Sequence, residues 1–346
     1  MSPIMPENLR FAAFKVTARH IKAKVKSFFI LMSIGYYLLA ASKLKKLLNF
    51  INMIIIDAHS HLWLRQQATV DGKEIYPLPN GRSMFLGEER QMLPPFMTDG
   101  TNTAEVFLSN MDYAQVGASV VVQEVIDGNQ DSYLAQVEAK YPSRFLCCSL
   151  LDIDKGPLAI PDGFRAAAIP GHRMHRPLND PSLVDFFKKM ESEGQILSIC
   201  LGDDSRQIAQ FAETIQECPG LKVAVGHFGM VTGKCWEQQI KLALSPNVYV
   251  ESGGITWLFN SEFYPYPSAI KAIRRAADLV GMDKLMWGSD YPRTICAITY
   301  KMSYDFILKS KELKLSEKEA FLGLNAKQFY GFGELPELPY IKNMSE

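Results

Sequence analysis

From residue 53 onwards, short apolar runs rich in β-branched residues alternate with longer stretches whose apolar positions recur every three or four residues. The first pattern is typical of buried strands and the second of amphipathic helices. Strands are predicted at 53–58, 118–124, 145–151, 164–169, 196–201, 222–227, 247–252 and 284–289, and helices at 103–116, 131–141, 181–193, 205–217, 233–244 and 267–280. Eight alternating units predict an α/β domain at 53–346, a (β/α)8 TIM barrel with a parallel sheet.

The first predicted strand runs into the sequence MIIIDAHSHLW at 53–63. Residues two apart in a strand point to the same side, so His59 and His61 are expected to lie side by side. The carboxyl ends of the strands form the mouth where parallel barrels carry out their chemistry. Two imidazoles there indicate a metal site or a substrate clamp, whereas an isolated HxH pair is as often part of a hydrogen-bonded loop.

Two further polar residues, His227 and Asp290, end the predicted strands 6 and 8. Taken singly, a histidine or aspartate after a strand is more often a turn or cap residue. Together with His59 and His61, however, they place four titratable groups from three strands at one mouth. Burying such groups costs stability unless they are paired, so their convergence predicts a catalytic site.

A basic loop, GHRMHRP, follows the fourth predicted strand. Guanidinium groups bind carboxylates through two parallel hydrogen bonds, so this loop indicates an anionic substrate, although it could also be a solvated surface loop. The candidate substrate-binding residues are His172, Arg173, His175, Arg176 and Arg293. Aromatic residues near strand ends could form an apolar wall or simply pack in the core: Trp63, Tyr291, Trp257 and Tyr264.

The connection at 64–100 is rich in Pro, Gly and charged residues and is too long for a simple βα loop. Loops of that length in compact domains are usually functional or disordered. Because this one leaves the strand that carries His59 and His61, we expect it to cover the active face.

Residues 1–52 differ in character from the rest of the chain. They contain nine Lys or Arg residues and one Glu, a net charge of +8, so the remainder of this formally neutral chain carries −8. The apolar run 27–41 would form a helix of about 22 Å, short of the roughly 30 Å needed to span a bilayer. This N-terminal extension is interpreted as a targeting segment, a membrane-surface helix or a misassigned start, with translation beginning at Met53.

The six cysteines show no CxxC pairing and mostly lie in apolar runs. This favours buried thiols in a reducing compartment, and hence a cytoplasmic protein, with membrane association possible through residues 1–52. We expect a small anionic substrate as partner and no nucleic acid; the sequence leaves the oligomeric state open.

Several motifs resemble the amidohydrolase-related family, the barrel hydrolases and decarboxylases of the amidohydrolase superfamily. They are HSHLW in strand 1, GHFG in strand 6, WGSDYP in strand 8, the closing LSEKEAFLGLNAKQFYGF and the earlier LSNMDYAQVGASVVV. The resemblance spans about 53–332. It implies that His59, His61 and Asp290 bind a divalent metal, that Asp290 also handles the proton of the attacking water, and that His227 orients substrate or water.

The chain departs from the metal-using members of that family at strand 5, where ILSICLGDDS has no histidine. Cys200 takes the position and could be a zinc ligand, although an apolar-flanked cysteine is more often part of the core. The lactone hydrolases of the family also resemble this chain in lacking that histidine, and some of them work without metal. A divalent metal, zinc first, and metal-free catalysis therefore both remain open.

The function implied is hydrolysis of a lactone or related ester of a carboxylated small molecule, with Asp290 as the base. A metal-dependent decarboxylase of an unsaturated or aromatic acid is the alternative within the family. A catalytically silent barrel, tethered to a membrane by its N-terminal extension, is the alternative from another class.

Overall fold

The structure of the protein is a computed structural model, and it describes residues 53–155, 158–342 and 344. The strands in these residues are β1 (Ile56–Ser60), β2 (Ala68–Val70), β3 (Lys73–Pro77), β4 (Arg82–Phe85), β5 (Glu88–Gln91), β6 (Ala118–Val121), β7 (Phe145–Cys147), β8 (Ser149–Leu150), β9 (Ala166–Ile169), β10 (Ile196–Ile199), β11 (Lys222–Val225), β12 (Val248–Glu251) and β13 (Leu285–Met286). The helices are α1 (Ala104–Tyr113), α2 (Asp131–Lys140), α3 (Pro181–Ser192), α4 (Ser205–Glu217), α5 (Trp236–Lys241), α6 (Ile255–Leu258), α7 (Pro267–Val280), α8 (Met302–Lys309), α9 (Leu315–Glu319) and α10 (Asn325–Tyr330).

A closed parallel barrel forms the body of the domain. One set of paired strands joins β1, β6 and β7, and another joins β8 to β13 in chain order. β7 and β8 are two halves of one barrel strand, interrupted at Cys148. The circle closes where the Ala58 amide donates to the Trp287 carbonyl and the Asp290 amide donates to the His59 carbonyl, each at 2.9 Å. This closure makes the strand that carries His59 a neighbour of the segment that carries Asp290.

The barrel interior is packed with small and branched side chains. Alanines at 58, 118, 166, 168 and 224 share a buried cluster with larger residues such as Ile56 and Met286. Aromatic residues from the C-terminal segment, Phe329, Tyr330 and Phe332, join the same cluster. Their backbone carbonyls are held at the beginnings of strands: Lys222 donates to that of Phe329 and Arg165 to that of Tyr330. The C-terminal segment therefore fills the amino-terminal end of the barrel, which leaves the carboxyl end for the site.

The outer helices follow the sequence periodicity. In α7 the buried positions are Ala269, Ile270, Ala272, Ile273, Ala276 and Ala277, the spacing of one helical face. α3 begins after Asp180, whose carboxylate accepts from the Ser182 and Leu183 amides, with Pro181 in the first helical position.

The structure confirms the (β/α)8 barrel. Each of the eight predicted strands overlaps a barrel strand, and each of the six predicted helices contains a helix. Most of the observed elements are shorter than predicted, above all β13, which spans Leu285–Met286 within the predicted 284–289, whereas α4 and α7 have the predicted bounds.

The connection at 64–100, in which the sequence analysis placed no strand, has secondary structure of its own. It contains an antiparallel sheet in the order β2-β3-β4-β5, which we call the insertion sheet. Its first hairpin turns at Asp71 and Gly72, both with positive φ, the two-residue turn that Asp-Gly favours. These strands lack the alternation of apolar and polar residues that predicts a half-buried strand, because Ile75 is the one buried residue of β3 and all of β5 is exposed.

The expectations for residues 1–52 lie outside the described residues and remain predictions. Within the described part of the chain, no helix is long and apolar enough to span a membrane.

Candidate active site

A bulge in β1 brings both predicted histidines into the barrel mouth. Asp57 pairs with Ser119 and Ser60 with Val121, so β1 has one residue more than its neighbour between these points. Strict alternation from the buried Ile56 would place His59 on the outer side; the extra residue reverses this. His59 and His61 consequently lie next to each other, with their Nε2 atoms 3.1 Å apart.

The four predicted polar residues meet around the carboxylate of Asp290. Asp290 Oδ1 lies 3.1 Å from His61 Nε2 and 3.6 Å from His59 Nε2. The His227 ring is tilted against that of His59, with centroids 4.6 Å apart. The second oxygen of Asp290 accepts a 2.6 Å hydrogen bond from the indole N–H of Trp257. His59 and Asp290 are almost fully buried, at 1% and 0% exposed.

The outer nitrogens of the three histidines have their own partners. His59 Nδ1 lies 2.8 Å from Glu251 Oε1, and His227 Nδ1 lies 2.9 Å from the Gly253 carbonyl. His61 Nδ1 lies 3.3 Å from Asp127 Oδ2, an ion-pair contact that is not aligned as a hydrogen bond. The hydrogen-bond acceptors at Nδ1 of His59 and His227 keep the proton of each ring on that nitrogen, and the carboxylate of Asp127 faces Nδ1 of His61. Each Nε2 atom is thereby directed to the mouth.

The charges at the site follow from burial and these neighbours. Burial alone would raise the pKa of Asp290, but the hydrogen bond from His61 and the charges of His227, His61 and Arg293 hold it well below its usual range. Burial opposes protonation of His61, yet the carboxylates of Asp127 and Asp290 outweigh it and raise its pKa to about 10. Burial and the nearby His59 lower the pKa of His227 to about 4. At neutral pH the site therefore pairs an ionised Asp290 with a protonated His61 beside a neutral His227.

Glycines at the strand ends make room for His59 and Glu251. A methyl group at Gly253 would lie 2.7 Å from His59 Cγ, and one at Gly288 would lie 2.7 Å from both His59 Cβ and Glu251 Oε2. Real side-chain carbons do not approach so closely, so larger residues at these two positions would displace the His59–Glu251 pair.

Backbone strain is concentrated at two residues of the site. His227 and Asp290 have φ values of 52° and 58°, in the left-handed region that side chains other than glycine rarely adopt. Such a conformation costs on the order of 1–3 kcal/mol and persists where the surroundings enforce it, most often at functional sites.

Some of the predicted basic residues line the mouth. Arg173 donates to Glu124 Oε2 at 3.0 Å, and His172 Nε2 lies 3.3 Å from the other oxygen of that carboxylate. Burial lowers the pKa of His172. Arg293, on the turn after β13, is close enough to Asp290 to lower the pKa of that carboxyl.

The other two basic residues point elsewhere. Arg176 donates to Asp180 and Ser182 at the start of α3. His175 is largely exposed and pairs with Asp154 at 3.0 Å. Their guanidinium and imidazole groups are taken up by loop contacts, so we remove both from the candidate substrate-binding set.

Trp63 and Tyr291, named as candidate substrate-binding residues, instead take the other role that the sequence left open and pack in the core. The Trp63 indole donates to the Gly100 carbonyl at 3.0 Å and packs among residues of the insertion. Tyr291 is fully buried and stacks on Phe107 of α1, with ring centroids 4.0 Å apart. This stacking places the Tyr291 side chain in the helical layer, away from the mouth.

Cys200 lies near the site but outside its cluster of possible ligands. Among the described residues, the group of histidine, cysteine and acidic atoms that lie within 4.8 Å of one another comprises His59, His227 and Asp290. Burial, reinforced by the charges of Glu251, Glu124 and Asp290, raises the pKa of the Cys200 thiol well above its usual value. Because Cys200 lies outside the group of possible ligands, the structure favours the core role for it.

We expect Cys200→Ser to keep turnover within a few-fold of the wild type and to cost about 1 kcal/mol of stability, because it changes packing alone. Cys218→Ser, at a buried cysteine outside the site, is the matched control. Kinetics, urea unfolding and metal analysis check this expectation; loss of activity together with bound metal would make Cys200 a ligand.

The residues present fit a divalent metal. His59, His227 and Asp290 offer two imidazoles and a carboxylate within 4.8 Å of one another, and His61 Nε2 lies beside two of them. The contact from His59 Nδ1 to Glu251 is the kind that orients metal-ligating histidines. The described residues can therefore hold a metal ion through the Nε2 atoms and Asp290.

Four residues of the site escaped the sequence analysis or were given another role there: Glu251, Asp127, Glu124 and Trp257. Glu251 ends β12 and Glu124 lies at the end of a predicted strand, the same signal that singled out His227 and Asp290. Asp127 lies on the turn Val125–Asp127, beyond any strand, and Trp257 lies in α6. Contacts between such distant segments leave no local pattern in the sequence.

A comparison with protein-family models identifies the family of this chain. The model described as Amidohydrolase matches residues 56–332, from β1 to the end of the segment that fills the barrel. The chain belongs to the amidohydrolase family. Among curated proteins, none matches it significantly.

Solved structures share the fold of this amidohydrolase. A probable 2-pyrone-4,6-dicarboxylic acid hydrolase from Acinetobacter baumannii, with citric acid bound, is 18% identical, covers 81% of this chain and 100% of that one, and gives a TM-score of 0.60. An amidohydrolase from Burkholderia multivorans with bound zinc is 16% identical, covers 82% and 100%, and also gives 0.60. Amidohydrolase 2 from Bifidobacterium longum subsp. infantis is 17% identical, covers 81% and 99%, and gives 0.55. At these identities the likeness establishes the barrel fold.

Family membership decides between the two functional classes that the sequence left open. The chain is an enzyme of the amidohydrolase family, rather than a catalytically silent barrel.

Proposed function

We propose that this amidohydrolase opens a lactone, or a related ester, of a small carboxylated molecule by attack of water, with Asp290 as the base. The observation that carries the proposal is the buried Asp290 carboxylate, with Oδ1 3.1 Å from His61 Nε2 at the carboxyl end of the barrel. A carboxylate held ionised beside a proton donor provides the base and the electrophile that ester hydrolysis requires.

Asp290 takes the proton of the attacking water. The Trp257 indole N–H fixes Oδ2, which leaves Oδ1 as the oxygen that faces the histidines. The neutral His227 donates through Nδ1 to the Gly253 carbonyl, so its Nε2 lone pair can accept a hydrogen bond from the same water and orient it.

His61 stabilises the negative charge that forms on the carbonyl oxygen. It is protonated at neutral pH, and an N–H at Nε2 can donate to that oxygen as the tetrahedral intermediate develops. A divalent metal, zinc first, would be held by His59, His61, His227 and Asp290 and would supply Lewis-acid charge at the same point.

The substrate is proposed to be an anion because cationic groups flank the mouth. Arg173 and Arg293 carry these positive charges, on the turns that follow β9 and β13, and His172, whose pKa burial lowers, lies beside Arg173 as a neutral hydrogen-bonding group. The pyrone dicarboxylate in the name of the Acinetobacter structure is a molecule of this class.

A substrate screen on chelated and metal-loaded protein tests the proposal. The panel contains lactones with one or two carboxylates, the same lactones as methyl esters, and aromatic and unsaturated acids. We expect ring opening of a carboxylated lactone, with a higher kcat/KM than its methyl ester. Carbon dioxide release without ring opening would support the decarboxylase alternative. Metal analysis of the more active form decides between the metal-assisted and metal-free routes.

A further inference from the structure

The insertion begins with a buried amide that bridges two parts of the chain. Gln66 is 1% exposed, and its Nε2 donates to Asp127 Oδ1 at 3.1 Å. Its Oε1 accepts a 2.9 Å hydrogen bond from the hydroxyl of Ser83, in β4. Both ends of the amide are therefore satisfied, which a buried polar group requires. One end faces the insertion sheet and the other faces the turn that follows β6.

Asp127 links Gln66 to the active site. While Oδ1 accepts from Gln66, Oδ2 lies 3.3 Å from His61 Nδ1. Asp127 is itself buried. One carboxylate thus joins a residue of the insertion to a histidine of the barrel mouth.

Further contacts fasten the insertion to the same turn. Ile126, next to Asp127, packs with Ile75, Phe85 and Met92 of the insertion. Gly128 lies so close to the backbone of the insertion that a methyl group on it would be 2.2 Å from the Gln67 carbonyl oxygen. The position of Asp127 is therefore set by the insertion as well as by the barrel.

We propose that the insertion sheet supports the active site, with Gln66 and Asp127 as positioning residues that hold His61. The other two histidines take their Nδ1 partners from β12 and the residues just after it, Glu251 and Gly253. His61 instead takes its partner from the turn to which the insertion is attached. A fixed Asp127 holds the Nδ1 edge of the His61 ring and turns Nε2 towards Asp290, an orientation that both the metal-assisted and the metal-free routes need.

Gln66→Met tests this proposal, because methionine has a similar length and cannot hydrogen-bond to Asp127. The matched control is Gln91→Met in the same insertion, which removes two hydrogen bonds, to the carbonyls of Asn80 and Leu93, and leaves Asp127 untouched. The first readout is the side-chain ¹⁵N resonances of His61 in the full-length protein at fixed pH, assigned by comparison with His61→Gln. The second is kcat and KM for the lactone that the screen identifies, and this readout rests on the proposed function.

We expect Gln66→Met to shift the His61 resonances and to lower kcat about 10-fold with little change in KM, the usual loss when the partner of an active-site histidine is disturbed. Gln91→Met should change neither. His61 resonances and kcat that stay at wild-type values in Gln66→Met would overturn the proposal. If Gln66→Met does not fold, Ser83→Ala replaces it, with a smaller shift expected and an unchanged spectrum as the contrary result. The ¹⁵N readout needs no substrate, so failure of the screen leaves this test intact.

Discussion

Asp290→Asn is expected to give a folded protein that still binds the carboxylated substrate but turns it over about 10²- to 10⁴-fold more slowly, the contribution of a positioned base. Asparagine is nearly isosteric, and its amide oxygen can still accept from the Trp257 indole. It cannot take a proton from water. Steady-state kinetics and calorimetric titration with the substrate check the separation of binding from turnover.

The matched control is Asp305→Asn on α8, where the carboxylate contacts Tyr264 and Lys309 outside the site. It should leave kcat unchanged. In the wild type, activity should persist as the pH falls towards about 4, the ordinary pKa of an aspartate, because its neighbours hold the pKa of Asp290 below that range. Full activity in Asp290→Asn would falsify the mechanism, with or without a metal.

The fold could be predicted from the sequence because its information is local. The apolar runs that form β6 and β11 and the one-sided periodicity of α7 each lie within a short window. The insertion sheet was not predicted, because its strands bury few residues. Its turns are the main local indication of it in the sequence.

The sequence predicted part of the active site, namely which residues lie close together at the barrel mouth. A rule that collects polar residues at strand ends finds His59, His61, His227 and Asp290, and the structure brings them together. The same rule cannot say which nearby side chain faces the mouth. The search for aromatic residues near strand ends likewise selected Tyr291, whose ring stacks on Phe107 in the helical layer. The rule for polar residues also gave no reason to connect Asp127 to His61, since that contact depends on how the insertion packs.

Glu251 is a second residue whose role in the site could not be predicted from the sequence. The residue is fully buried and accepts from three groups: His59 Nδ1 at 2.8 Å, the His227 amide at 3.0 Å and the Gly253 amide at 2.5 Å. It thereby joins strands 1, 6 and 7 of the barrel. These contacts depend on the register of three strands, which the sequence of any one of them does not encode.

Glu251→Gln is therefore expected to disable the site through His59. The carboxylate offers two acceptor oxygens, whereas the amide offers one acceptor and one donor. Either His59 or a backbone N–H then faces an N–H group, and the proton on His59 Nδ1 is no longer fixed. We expect turnover, or zinc affinity if the enzyme uses the metal, to fall about 10- to 100-fold, the usual loss for such a partner. Stability should fall by about 1–3 kcal/mol, the cost of an unsatisfied buried donor.

Glu138→Gln is the control that separates the loss of activity from the loss of stability. Glu138 Oε2 accepts from the Cys147 amide at 2.6 Å, so this exchange also disturbs a carboxylate that binds the backbone of a barrel strand, but away from the mouth. It should lower stability in urea unfolding and leave kcat unchanged. Turnover and zinc affinity at wild-type levels in Glu251→Gln would show that His59 keeps its orientation without the charge of Glu251, and that the backbone and the glycines around the ring suffice to hold it.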